Sequence, residues 1–146
     1  MKAKKLVAFL LAWLLMFSCA SALTQSQHDE LDAIASNFNL LKSSFDPGDN
    51  FEEPQFIYLR DEAQFFMVFP FVGFSAASLR EMLDYSQELY NAMLRVCTSG
   101  YDALQPIISK VSDEVSIIVT IFGNDGNMVL TTMDGEDVTE LLQLVM

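Results

Sequence analysis

Two runs near the middle of the chain, Phe56-Ile57-Tyr58-Leu59-Arg60 and Phe65-Phe66-Met67-Val68-Phe69, are apolar at consecutive positions where a half-solvated strand would alternate. Successive side chains of a strand point to opposite faces. Phe56 and Tyr58 therefore share one side with Ile57 and Leu59 opposite, and Phe65, Met67 and Phe69 oppose Phe66 and Val68. A sheet built from them has no face to offer water, and such strands are covered on both sides. Asp61-Glu62-Ala63-Gln64 between them reads as the connection of a hairpin.

The rest of the chain supplies the elements around that hairpin. From Thr24 to Phe45 apolar residues recur at Leu31, Ile34, Phe38, Leu41 and Phe45, which predicts a one-faced amphipathic helix, with Ser26 as N-cap and Asp46-Pro47-Gly48-Asp49 as its stop. A long helix is expected from Ser75 or Ser78, the latter in a capping box with Glu81. Leu79, Met82, Leu83, Leu89, Tyr90, Met93 and Cys97 line its inner side, and Gly100 is its natural end. Tyr101 to Ser112 predicts a short helix around Pro106. Val115–Phe122 and Met128–Met133 form a second hairpin about Asn124-Asp125-Gly126-Asn127, where Asp-Gly suits a type I′ turn and sets Ile121 against Leu130 and Phe122 against Val129. Asp137 to Val145 closes the chain as a helix. The expected fold is α+β, an antiparallel sheet of about four strands with helices packed mainly on one face, in the order α-β-β-α-(α)-β-β-α.

Residues 1–22 read as a secretory signal peptide: Lys2, Lys4 and Lys5, an apolar run from Leu6 to Phe17, then Ala20-Ser21-Ala22 as the cleavage site. Those twelve apolar residues make about 18 Å of helix, short of a bilayer core of roughly 30 Å. Leu15-Met16-Phe17-Ser18-Cys19 loosely resembles a lipobox, so a lipoprotein anchored at Cys19 is the alternative. The expected product is one domain, residues 23–146, secreted or extracytoplasmic, whose only thiol is Cys97. No internal disulfide can staple it, and stability must come from apolar burial.

With the leader gone, five basic residues remain against twenty acidic ones, a net charge of −15. Lys42, Arg60, Arg80, Arg95 and Lys110 are scattered, so no basic patch exists to neutralise a phosphate backbone; nucleic acid is excluded as a natural partner and anionic lipid surfaces are disfavoured. Catalytic candidates are thin. Gly73-Phe74-Ser75-Ala76-Ala77 has the strand, turn and helix setting of a nucleophile elbow, but its last residue is Ala and the only histidine, His28, precedes the serine. Ser75 reads better as a helix cap. His28 and Asp32 lie one turn apart but make only two ligands, too few for a zinc site. Neither Gly126 nor Gly135 has an acid five residues upstream, so no EF-hand loop fits, and loose calcium binding by loop carboxylates is the residual metal reading. No catalytic residue, metal site or cofactor is expected.

Seven aromatic residues fall within 19 positions, from Phe56 to Phe74. Most are core by composition. Phe66, Phe69, Phe71 and Phe74 are the candidates for an apolar surface left open to a partner. The leading expectation is a secreted non-catalytic interaction domain, with homodimerisation through an apolar sheet face as one form. The alternatives are an extracytoplasmic carrier of a small apolar ligand, which needs a large enclosed cavity lined by Phe and Met, and a small serine hydrolase, which needs His28 beside Ser75.

Overall fold

A computed structural model describes residues 5–11, 23–44 and 48–144. Residues 5–11 are helical and are termed α1. The chain then runs through α2 (Gln25–Leu40), a 3-10 turn (Lys42–Ser44), β1 (Gln55–Leu59), β2 (Gln64–Pro70), α3 (Ala76–Tyr85), α4 (Gln87–Ile108), β3 (Ser116–Phe122), β4 (Met128–Met133), β5 (Glu136–Asp137) and α5 (Thr139–Gln143). The expected signal-cleavage site, Cys19, Phe45, Asp46, Pro47 and Val145 lie outside the described residues.

The architecture is α+β, with one five-stranded sheet in the order β1-β2-β3-β4-β5. It is mixed, not antiparallel throughout, because β2 and β3 pair in parallel from Gln64↔Ser116 to Pro70↔Phe122 while all other neighbours are antiparallel. The helical crossover α3–α4 carries the chain from the end of β2 back to the start of β3, so the two hairpins meet running the same way. A fifth strand arises where the C-terminal helix was expected to begin: Glu136 and Asp137 pair with Met133 and Thr132, and α5 is only Thr139–Gln143.

Local chemistry explains the other departures from expectation. Thr24, not Ser26, caps α2: its hydroxyl accepts from the Gln27 N–H at 3.2 Å while the Gln27 side chain accepts from the Thr24 N–H at 2.9 Å, a complete capping box. Ser75 caps α3 by accepting from the Ser78 N–H, which leaves Ser78 without the capping role. The expected long helix is two, because Ser86 is extended (φ −132°, ψ 101°), ends α3, and caps α4 by accepting from the Leu89 N–H. Gly100 does not stop α4, which runs through Pro106 to Ile108. A Cβ at Gly100 would lie 3.1 Å from Met67 Sδ and 3.3 Å from Val119 Cγ1, so the glycine lets the helix settle close onto β2 and β3.

The two-residue turn expected at Asp125-Gly126 is found instead at Asp134-Gly135. At Asp134-Gly135 both residues have positive φ (50° and 88°), as the two-residue β4–β5 turn requires. At Asp125-Gly126 only the glycine does. There the Gly126 N–H donates to Gly123 O and the Gly123 N–H to Asn127 O, a longer loop with a bulge. Ile121 still faces Leu130, but the register shifts by one and Phe122 faces Met128 instead of Val129.

The three long helices pack on one face of the sheet, and the short α1 and α5 lie on the other. On the first, α2, α3 and α4 bury Leu31, Ala35, Leu79, Met93, Cys97, Leu104 and Ile108 against Phe65, Met67, Phe69, Val119 and Ile121. On the second, Phe9 of α1 and Leu142 of α5 pack against Phe66, Val68, Ile118, Phe122 and Met128. One side chain engages part of the outer edge of β1. Asn39 donates to Phe56 O at 2.7 Å and accepts from the Phe56 N–H at 2.9 Å, which occupies the outward-facing groups of that residue. We expect Asn39→Ala to cost about 1–2 kcal/mol in urea unfolding, and Asn39→Asp to restore only the accepting half. A midpoint unchanged by either substitution would show that the edge is not held this way.

Candidate functional site

The sheet's second face is the candidate site. Even-numbered positions of β2 and β3 build it, Phe66 and Val68 beside Ile118, Thr120 and Phe122, and β4 continues it with Met128 and Thr131. Its polar atoms are internally satisfied. The Thr120 and Thr131 hydroxyls are 2.6 Å apart, and the Thr139 hydroxyl accepts from the Thr131 N–H at 2.9 Å while donating to Asp137 Oδ1 at 2.6 Å. What is left is a band of aromatic, branched and thioether surface that gains by being covered, at about 25 cal/mol per Å².

α1 supplies much of that cover. Phe9 is 1% exposed and meets Phe122 and Phe66 edge-on, with ring centroids at 5.3 and 6.3 Å and interplanar angles of 80° and 85°. Leu6 and Leu10, at i−3 and i+1 from Phe9, pack beside it. At the rim, burial pushes the Asp125 carboxyl upward, but hydrogen bonds from the Asn127 and Ala76 N–H groups and the Asn127 amide, with the nearby positive charge of Lys5, hold it below the usual carboxylate range. A cleft of about 140 Å³ opens beside α1, bounded by Leu6, Val68, Pro70 and Phe122. A small-molecule site takes roughly 300–1,000 Å³, so this cleft does not supply the cavity that a carrier needs.

The four aromatic residues singled out from the sequence divide between the two faces. Phe66 belongs to the second face. Phe69 and Phe71 sit on the first, where Phe51 meets them at centroid distances of 5.8 and 5.1 Å, and Phe74 lies 6.1 Å from Phe71, 44% exposed. Sequence reasoning did not select Ile118, Phe122 and Met128. Their alternation in the second hairpin was visible, but which face would lack the three long helices was not.

Ser75 and His28 are not brought together. Ser75 follows β2 and its hydroxyl is engaged by Ser78, whereas His28 Nδ1 lies 2.7 Å from the Tyr58 hydroxyl beside Phe65 at the opposite end of the same strand. Five residues of strand between Phe65 and Pro70 set these ends about 16 Å apart. Asp32, the other half of the helix-face pair, binds Arg60 together with Asp29. Among the described residues no three His, Cys, Asp or Glu side chains form a metal-binding group, and no helix is long and apolar enough to cross a membrane.

Cys97 is fully buried on the inner side of α4. Burial, with the Asp137 charge adding to it and a hydrogen bond with Thr132 opposing, pushes the thiol up to about 12. Tyr58 is also raised to about 12, by burial first and then Asp32, against the effect of Arg60. These groups keep their protons more firmly in the fold than in the unfolded chain, where a thiol titrates near 8.5 and a phenol near 10. Their stabilisation is therefore complete below about pH 8.5 and is lost as pH rises from there through about 12. We expect a thiol reagent at pH 7 to label Cys97 only as fast as the chain unfolds, and the urea midpoint to fall between about pH 9 and 12. Prompt labelling of Cys97 in the native protein, told apart from Cys19 by peptide mapping, would contradict the buried thiol.

No protein-family model, curated protein or solved structure matches the chain.

Proposed function

We propose that the protein is an exported, non-catalytic interaction domain whose working surface is the second face of the sheet. One observation carries this reading: the helix that seats Phe9 between Phe66 and Phe122 belongs to the segment whose Lys-rich start, apolar run and Ala20-Ser21-Ala22 have the pattern of a cleavable leader. Removing residues 1–22 uncovers apolar surface that α5, which buries Leu142 there, covers only in part. An open apolar patch of that kind marks a contact site for another protein or a second copy. The net charge of −15 keeps such a domain soluble outside the cytoplasm and turns it away from nucleic acid and anionic membranes.

The test begins with intact-mass analysis of the exported product. Loss of residues 1–22 is expected, and a retained N-terminus or a diacylated Cys19 would sink the export reading as stated. Trp13 leaves with the leader, so the processed chain should also lack indole fluorescence. The processed protein should then either bind a hydrophobic dye or self-associate in sedimentation across a concentration series. A strictly monomeric species that ignores the dye would remove the interaction surface.

A further inference from the structure

The way α1 sits shows what shape the second face accepts. Leu6, Phe9 and Leu10 follow the i, i+3, i+4 spacing of a helix laid into a groove, and Phe9 is the anchor, held edge-on by Phe66 and Phe122. A strand could not dock here by extending the sheet, because this is a face and not an edge. The rim adds a charge preference: the cleft beside α1 is lined by Leu6 and Gly126, so Lys5 at the start of α1 and the carboxylate of Asp125 flank the same opening.

We propose that, once residues 1–22 are removed, this groove receives in trans a short amphipathic helix of another protein, with basic residues in its first turn and Leu and Phe as anchors. α1 holds the same seat in the unprocessed chain and keeps it closed. The inference rests on the reading of this face as the interaction surface and adds the class of partner. Charge selects against a second copy. Two processed chains would each bring a net −15 to the contact, whereas a basic helix meets that field with the opposite sign.

The experiment uses the full chain with a protease recognition sequence in place of residues 19–22, purified folded, then cut and freed of its leader by gel filtration. The probe is a fluorescently labelled peptide with the sequence of residues 2–12. The cut chain should bind it saturably while the uncut chain does not. Phe9→Asp in the peptide should weaken binding by at least ~10-fold, as loss of a central anchor does. Asp125→Asn in the chain, and added salt, should each weaken it by a smaller factor. Equal binding by cut and uncut chains, or indifference to Phe9→Asp, would overturn the proposal. So would loss of the circular dichroism spectrum on cutting, which would make α1 a permanent part of the fold. A cut chain that dimerises, or binds dye, yet refuses the peptide overturns the helical partner and leaves the interaction surface standing. One that does none of these removes both.

Discussion

Gly123→Ala lowers the stability of the folded chain by about 3 kcal/mol, the upper range for forcing an atom into a filled space. A Cβ at this position would lie 2.2 Å from Ala76 N, 2.7 Å from Ser75 C and 2.9 Å from Ala76 Cα, all backbone atoms with no rotamer to change. Neither side of the contact is free to retreat. The start of α3 is held by the Ser75 cap and by Asp125, which accepts from the Ala76 N–H at 3.2 Å. The β3–β4 loop is held by the Asn124 N–H donating to Phe74 O at 2.8 Å. With a urea m-value of about 1.5–2 kcal/mol/M for a chain of this size, the midpoint should fall by roughly 1.5–2 M. Gly73→Ala is the control. Nothing lies within 4 Å of its Cβ position, so it meets only the strain of φ +90° and should cost about 1–2 kcal/mol. A Gly123→Ala midpoint within about 0.3 M of the parent would mean that the loop does not dock on α3.

The second large effect separates two adjacent phenylalanines. Phe65 and Phe66 are both wholly buried, Phe65 among Phe38, Phe56 and Tyr58 under α2 and Phe66 against Phe9 of α1. In the chain with residues 1–22 present, each change to Ala should cost about 3–5 kcal/mol through lost transfer energy and the cavity left behind. Without residues 1–22, Phe65→Ala keeps that cost. Phe66→Ala should then fall to about 1–2 kcal/mol, because truncating a side chain already open to water leaves no closed void. Urea unfolding of the four variants measures this directly. Equal costs for Phe66→Ala in the two chains would show that α1 is not the cover of the second face.

What could be read from the sequence follows from how local the deciding physics is. The first hairpin, the amphipathic α2, the Ser75 cap and the pairing of Ile121 with Leu130 all rest on contacts within a few residues, and all were legible. The two Asp-Gly pairs show the limit. Composition marks Asp125-Gly126 as a two-residue turn, but the distant N–H of Ala76 engages Asp125 in a longer loop, while Asp134-Gly135 makes the two-residue turn. Gly100 has the composition of a helix end and serves instead as a point of close approach to Met67 and Val119, about which no stretch of α4 carries information. The consecutive apolar residues of β2 did show that both faces need cover. Their cover on the second face includes α1, which lies in the segment that the sequence reads as a leader and so sets apart from the fold. That is why Phe66 could be marked for a surface but its neighbours Ile118, Phe122 and Met128 could not.

The parallel pairing at the centre of the sheet also fixes an order of events during synthesis. Gln64 meets Ser116, fifty-two residues later, whereas β1 and β2 pair across a four-residue connection. Both strands of the first hairpin thus leave the ribosome before β3 does, and long-range pairings of this kind form slowly. At the usual pace of about 5–20 residues per second, the inner edge of β2 waits several seconds for its partner. Through that interval Phe65, Phe66 and Phe69 are accessible to whatever binds nascent apolar segments. A chain stalled between residues 71 and 115 would remain in that state, with an unpaired aromatic strand and no sheet to receive it.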